Sequence, residues 1–269
     1  MKQFAENGCH GRLIAVASGK GGVGKTWFAV TLSHVLAMQS RHVLLVDGDF
    51  GLANVDIQLG IMPSRDLGHL LGGEIDPARV IARVQAGRFD LLPGRSGAGA
   101  LAVLDDTALF RISELLERLR TGYDTILLDC SAGVDRTAQA LVTMADTLLL
   151  VITEDPTSLT DAYAVLKLLL TERKPENLDV RVVVNMAGSP AAGLRAYETL
   201  AKAAEGFLRF RPSLAGVIRR DERVKEAIRR QALLLLRTPQ SIAGHDVEHI
   251  ARQLKEVNPP VSQPERVPS

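Results

Sequence analysis

The stretch Ser18-Gly19-Lys20-Gly21-Gly22-Val23-Gly24-Lys25-Thr26 constrains this chain more than any other part of it. It lies between an apolar run, Leu13 to Ala17, and the segment Trp27 to Leu32, which reads as the start of a helix. In a strand, glycine turn and helix, the glycines let the backbone curl so that successive N–H groups point inward at an anion. The helix N-terminus adds partial positive charge. Gly19, Gly21, Gly22, Val23 and Gly24 form that cradle, with Lys25 placed to reach the β and γ phosphates and the Thr26 hydroxyl to ligate Mg²⁺. A glycine turn that bound nothing would have no use for Lys-Thr after its last glycine.

The rest of the chain alternates apolar runs with amphipathic ones. Val43 to Val46, Phe89 to Leu92, Thr125 to Asp129, Leu148 to Ile152, Val180 to Val184 and Leu214 to Ile218 are short and lack period-2 polarity, as strands buried on both faces do. Between them, Asp105 to Thr121, Arg136 to Ala145, a helix begun by Pro156, Leu194 to Phe207, and two last segments near 221–232 and 241–256 have helical spacing. This order predicts an α/β fold with a mostly parallel, doubly wound sheet flanked by helices. The expected organisation is a loose arm over 1–11, one domain over 12–256, and a disordered Pro-rich tail over 257–269.

Composition narrows the class. A net charge of +1 gives no global pull towards nucleic acid or acidic lipid, so any such contact must come from a local patch. Cys9 and Cys130 are far apart and form no C-x-x-C pair, which fits a reducing compartment. No apolar run reaches signal-peptide or membrane-span length, so a cytoplasmic location is expected.

In a parallel sheet, ligands bind at the carboxyl ends of the strands. Four strands end in polar chemistry there: the glycine loop after the first, Asp47 and Asp49 after the second, Asp129 after the Thr125 run, and Asn185 after the Val180 run. One Asp after a strand is usually a cap or turn former. Four such endings at one edge point to a site.

Lys20, ahead of the glycine pair, is the mark of the deviant Walker A motif, and the sequence resembles the MinD/ParA superfamily of dimeric ATPases over about residues 12–256. That resemblance implies a P-loop NTPase fold of the MinD type, with ATP and Mg²⁺ as ligands and a homodimer in the ATP-bound state. It implies that Lys20 reaches the partner's nucleotide, that Asp129 holds Mg²⁺ with Asp47 supporting its shell, and that Asp49 positions the attacking water. Cys130-Ser131-Ala132-Gly133 resembles the switch II segment, in which Gly133 offers its N–H to the γ-phosphate. Asn185 resembles the residue that reads the adenine edge, and Val217 and Ile218 lie where the superfamily completes the base pocket.

Two stretches narrow the resemblance further. Asp47-Gly-Asp-Phe-Gly-Leu-Ala-Asn-Val-Asp56 is similar to both MinD and the flagellar-number ATPases (FlhG, FleN or YlxH), and Thr153 to Lys167 looks like the flagellar branch. The implied function is an ATP-driven dimerisation switch controlling flagellar number or placement, with flagellar assembly or polar-placement proteins as partners. Septum-site and DNA-partition ATPases are the alternatives. The FlhF-stimulating motif Asp-Gln-Ala-x-x-Leu has no match in Met1 to Gly11, which counts against an FlhF-type GTPase partner. The stripe Val247, Ile250, Ala251, Leu254 and Val257 reads as core, leaving peripheral contact with the inner face of the membrane at most. Arg219, Arg220, Arg223, Lys225, Arg229 and Arg230 form a basic run, but interspersed Asp221, Glu222 and Glu226 weigh against nucleic acid as a partner. Metallocluster relatives need cysteines at the dimer face, whereas Cys130 reads as a small buried residue.

Overall fold

The computed structural model describes residues 10–51, 53–72, 75–94 and 104–254. Among them, eight strands form one sheet: β1 (Arg12–Ser18), β2 (Val43–Gly48), β3 (Ala82–Val84), β4 (Phe89–Leu92), β5 (Thr125–Ala132), β6 (Thr147–Ile152), β7 (Asp179–Ala187) and β8 (Ser213–Arg219). The order across the sheet is β3-β4-β2-β5-β1-β6-β7-β8. Every neighbouring pair is parallel except β3 with β4. The chain leaves β1 in one direction to build β2 and β4, then crosses back to lay β6, β7 and β8 on the other side. That reversal puts the end of β1 at a topological switch point, where open α/β sheets bind ligands.

The α-helices are α1 (Lys25–Met38), α2 (Val55–Leu59), α3 (Leu67–Leu71), α4 (Asp106–Leu119), α5 (Arg136–Met144), α6 (Pro156–Glu172), α7 (Pro190–Leu208), α8 (Glu222–Arg229), α9 (Leu234–Arg237) and α10 (Ile242–Gln253). Alternate residues of β1 feed two cores. Leu13, Ala15 and Ala17 pack under α4 to α7, while Ile14 and Val16 pack with α1 and α10. Burial on both faces is why the strands show no alternation, and each fully buried Leu, Ile or Val contributes about 1.5–3 kcal/mol. In α10 and at its C-cap, Val247, Ile250, Ala251 and Leu254 are all buried, in agreement with the core reading; Val257 lies outside the described residues. No helix among the described residues is long and apolar enough to cross a membrane.

Arg12 ties the opposite edge of the sheet together. Its guanidinium donates to Thr147 Oγ1 (2.6 Å), Asp179 Oδ2 (2.7 Å) and the Leu254 carbonyl (2.9 Å), joining β1, β6, β7 and the end of α10. Gly11, placed in the arm by the sequence reading, is buried and donates to the Arg120 carbonyl; residues 1–9 and the tail lie outside the described residues. Two elements had no sequence signal. The edge strand β3 has three residues and α9 has four, Leu234 to Arg237, too few in either to show a period.

Leu127, fully buried at the centre of β5, samples the core away from the ligand edge. Leu127→Ala is expected to lower stability by about 2–5 kcal/mol, measured as a shifted denaturant midpoint at unchanged slope.

Candidate active site

β1 ends at Ser18 and α1 begins at Lys25, so the glycine stretch is the turn between them. Gly22 (φ 79°) and Gly24 (φ 82°) take left-handed backbone that only glycine adopts without strain. A Cβ on Gly19 would fall 2.3 Å from the Asp161 backbone of α6, and one on Gly24 would fall 2.5 Å from Asn185 Nδ2. Gly21 and Gly22 face open space instead. The outer glycines therefore fit the loop to the protein, and the inner pair leaves room for a ligand.

Behind the loop, Lys25 is buried and its Nζ lies 2.9 Å from Asp129 Oδ1. Burial alone would lower the lysine, but the charge and hydrogen bond of Asp129 outweigh it and hold Lys25 above its ordinary value. Thr26 also hydrogen-bonds to Asp129, whose carboxyl is raised by burial and lowered in turn by Lys25. Asp47 stands beside Asp129 in the β2–β5 register. Burial, then the charge of Asp129, push Asp47 up to about 7, even though it accepts backbone N–H bonds from Asn54 (2.9 Å), Val55 (3.0 Å) and Asp49 (3.1 Å). Asp49 is half buried, accepts from Gly51 N–H at 3.2 Å, and acts electrostatically on both Lys25 and Asp129. Two buried carboxylates and a hydroxyl at one spot, with one carboxyl held up by its neighbour's charge, fit a hard cation. Mg²⁺ takes one or two carboxylates from a protein and draws its other ligands from phosphates and water.

Several predicted residues are committed elsewhere. Lys20 Nζ contacts Asp155 Oδ2 (2.6 Å) and Thr157 Oγ1 (2.5 Å) of its own chain, at the start of α6. The Gly133 N–H, aimed at the γ-phosphate in the sequence reading, donates to the Ser18 carbonyl at 2.9 Å, because β5 extends alongside the end of β1. Asn185 is buried within β7; it donates to the Val23 carbonyl (2.8 Å) and accepts from Met186 N–H (2.9 Å), so its amide pins the phosphate loop. Ile218 lies in the core beneath α10, and Val217 packs on Gly193 of α7, so neither side chain lines the cavity beside the loop. Alternation along β8 sends the two to opposite faces of the sheet, and the mouth is formed by residues one step further on.

That cavity, about 710 Å³, runs from Lys20 to Val23 across to Met186, Gly188 and Arg220. Met186, Arg220 and Glu154 were not singled out for it, because adjacency around the mouth is set by β7 and β8 lying side by side and leaves no spacing in the chain. Cys130 is fully buried, with its thiol pushed up to about 12 by burial, as an inert core residue would be.

A family profile described as an AAA domain matches residues 11–181. The antiactivator FleN of Pseudomonas aeruginosa is 34% identical over 243 residues, covering 90% of this chain and 86% of FleN. The flagellum site-determining protein YlxH of Helicobacter pylori is 30% identical over 251 residues, covering 93% of this chain and 84% of YlxH. The chain belongs to the FleN/YlxH family. Its fold is that of MinD: the septum site-determining protein MinD from Pyrococcus horikoshii, complexed with Mg-ADP, superposes with a TM-score of 0.76 at 25% identity, covering 91% of this chain and 96% of that one. The resemblance drawn from Lys20 and the glycine loop is thus borne out at the level of family and fold.

In this FleN/YlxH-family chain, Asp47 gives the site a pH signature. Its ordinary value is 3.8 and its folded value about 7, so the folded state holds the proton more tightly. The stability it contributes is full below about pH 4 and is lost as pH rises to about 7. Without added nucleotide or magnesium, the wild type should lose stability across that window more steeply than Asp47→Asn. Denaturation at pH 4, 5, 6 and 7 checks this, and equal slopes would contradict it.

Proposed function

We propose that this protein is a Mg²⁺-dependent ATPase that dimerises with ATP bound and sets the number or placement of flagella. The observation that carries the reading is a complete phosphate-loop site, with Lys25 on Asp129 and Lys20 at the rim, in a chain related to FleN and YlxH over about nine-tenths of its length. MinD-type septum placement is the second reading, supported by the shared fold alone. The ATPase domain of this reading spans residues 12–256.

The chemistry follows from where charge develops. Loop N–H groups and Lys25 hold the β and γ phosphates, and Lys20 of a second copy adds a cation from outside. Thr26 and Asp129, with Asp47 behind, would hold Mg²⁺, which would supply neutralisation of phosphate charge there. Asp49 orients a water in line with the γ-phosphorus and accepts its proton as the new P–O bond forms; the bond to the ADP oxygen breaks on the opposite side. Asn185 keeps the loop in shape through its bond to the Val23 carbonyl. Because Lys20 is tied to Asp155 and Thr157, crossing to a partner costs that contact, which couples dimer formation to the start of α6. Peripheral contact with the membrane is the furthest the α10 stripe goes, since it is spent on the core.

Asp49→Ala is expected to bind ATP, form a persistent dimer by size-exclusion chromatography, and hydrolyse at least 10²-fold more slowly, the low end for losing a positioned acid or base. Lys25→Ala is expected to bind no ATP and remain monomeric. Normal turnover by the first variant or unchanged ATP affinity in the second would remove the corresponding assignment.

A further inference from the structure

Along the basic run, ion pairs account for most of the charge. Arg219 is held by Asp246, Arg223 by Asp221, Lys225 by Glu222 and Arg230 by Glu226. The same holds around the mouth of the cavity beside the phosphate loop. Lys20 is on Asp155, Glu154 accepts from Gly188 N–H at 2.6 Å, and Glu222 is on Lys225. Arg220 stands apart: it lines that cavity, is exposed, and its guanidinium makes no hydrogen bond or ion pair among the described residues. Its backbone is nevertheless fixed, with N–H on the Ala187 carbonyl at 2.8 Å and the next residue, Asp221, capping α8. A cation anchored at its Cα and left free at its tip is placed for something absent from the chain.

We infer that Arg220 is a specificity-determining residue for the nucleotide, its guanidinium lying on the face of the purine ring. This rests on the ATP site proposed above and names a group that the sequence did not single out there. The loop N–H groups and Lys25 take the phosphates from the α1 side. Arg220 lines the same cavity from the ends of β7 and β8, with Met186 and Gly188, so the part of a nucleotide that extends beyond the loop comes within its reach. A planar, weakly hydrated guanidinium stacks on an aromatic face, a contact that a compact, strongly hydrated ammonium makes poorly. Met186, partly exposed at the same mouth with left-handed backbone (φ 56°), offers a polarisable thioether to the base as well.

The test compares ligands with and without a base, using full-length protein with Mg²⁺ in isothermal titration calorimetry. ADP is the main probe, since it avoids the ATP-dependent dimer, and tripolyphosphate is the baseless one. Arg220→Ala is expected to weaken ADP about tenfold while leaving tripolyphosphate unchanged, and Arg220→Lys to recover little of the loss. Loss of tripolyphosphate affinity in Arg220→Ala, restored by Arg220→Lys, would mean a charge contact with phosphate and would overturn the stacking role. Unchanged ADP affinity in Arg220→Ala would overturn any contact with the nucleotide. A wild type that binds neither ligand would instead overturn the ATP reading itself, so the two failures are distinguishable.

Discussion

The buried pair of Lys25 and Asp129 is the contact on which the upper edge of the sheet depends. Taking both charges out of water costs several kcal/mol per ion, and apolar residues of similar volume would stabilise the fold as well or better. The pair makes physical sense at a site where another charge arrives. A lysine held above its ordinary value stays charged and ready for phosphate, while Asp129, next to Asp47 in register and bonded by Thr26, offers its oxygens to a cation. The glycine loop curls around this point because β1, which feeds it, sits where the strand order reverses. Asn185 then holds the loop from the neighbouring strand, its amide against the Val23 carbonyl.

Much of this was legible in the sequence, for a physical reason. Strands buried on both faces are continuous apolar runs, and a parallel sheet puts all their carboxyl ends on one edge, so polar residues ending four runs had to converge. Lys25, Thr26, Asp47 and Asp129 lie together as that logic requires. What the sequence could not show is how each group spends its hydrogen bonds. Gly133 looked open, yet its N–H is taken by Ser18; Asn185 looked like a reader of the base, yet two of its amide contacts go to backbone beside the loop. Both outcomes depend on neighbours more than 100 residues away in the chain, Gly133 beside Ser18 and Asn185 beside Val23. Ile218 shows the limit of position alone, since alternation in β8 turns its side chain into the core.

Charge placement is economical elsewhere. A run of six basic residues resembles a nucleic-acid patch when read as a string, but folding pairs four of them with nearby carboxylates, and exposed pairs of this kind hold little net field. The contact of Lys20 with Asp155 and Thr157 follows the same pattern at the rim of the site. There the pairing has a consequence, because the lysine that marks the motif is occupied within its own subunit. Thr153 to Lys167, the stretch most like the flagellar branch, is also the stretch that holds it.

In the proposed role, this ATP site governs flagellar number or placement. The most direct measurement removes the gene from its host, restores it as wild type or as Lys25→Ala, and counts flagella per cell by electron microscopy while scoring division septa in the same cells. Altered number or position of flagella is expected in the deletion and the Lys25→Ala strain, with normal counts in the wild type and normal septa throughout. Normal flagella with misplaced septa in the deletion strain would contradict it and move the protein to septum placement.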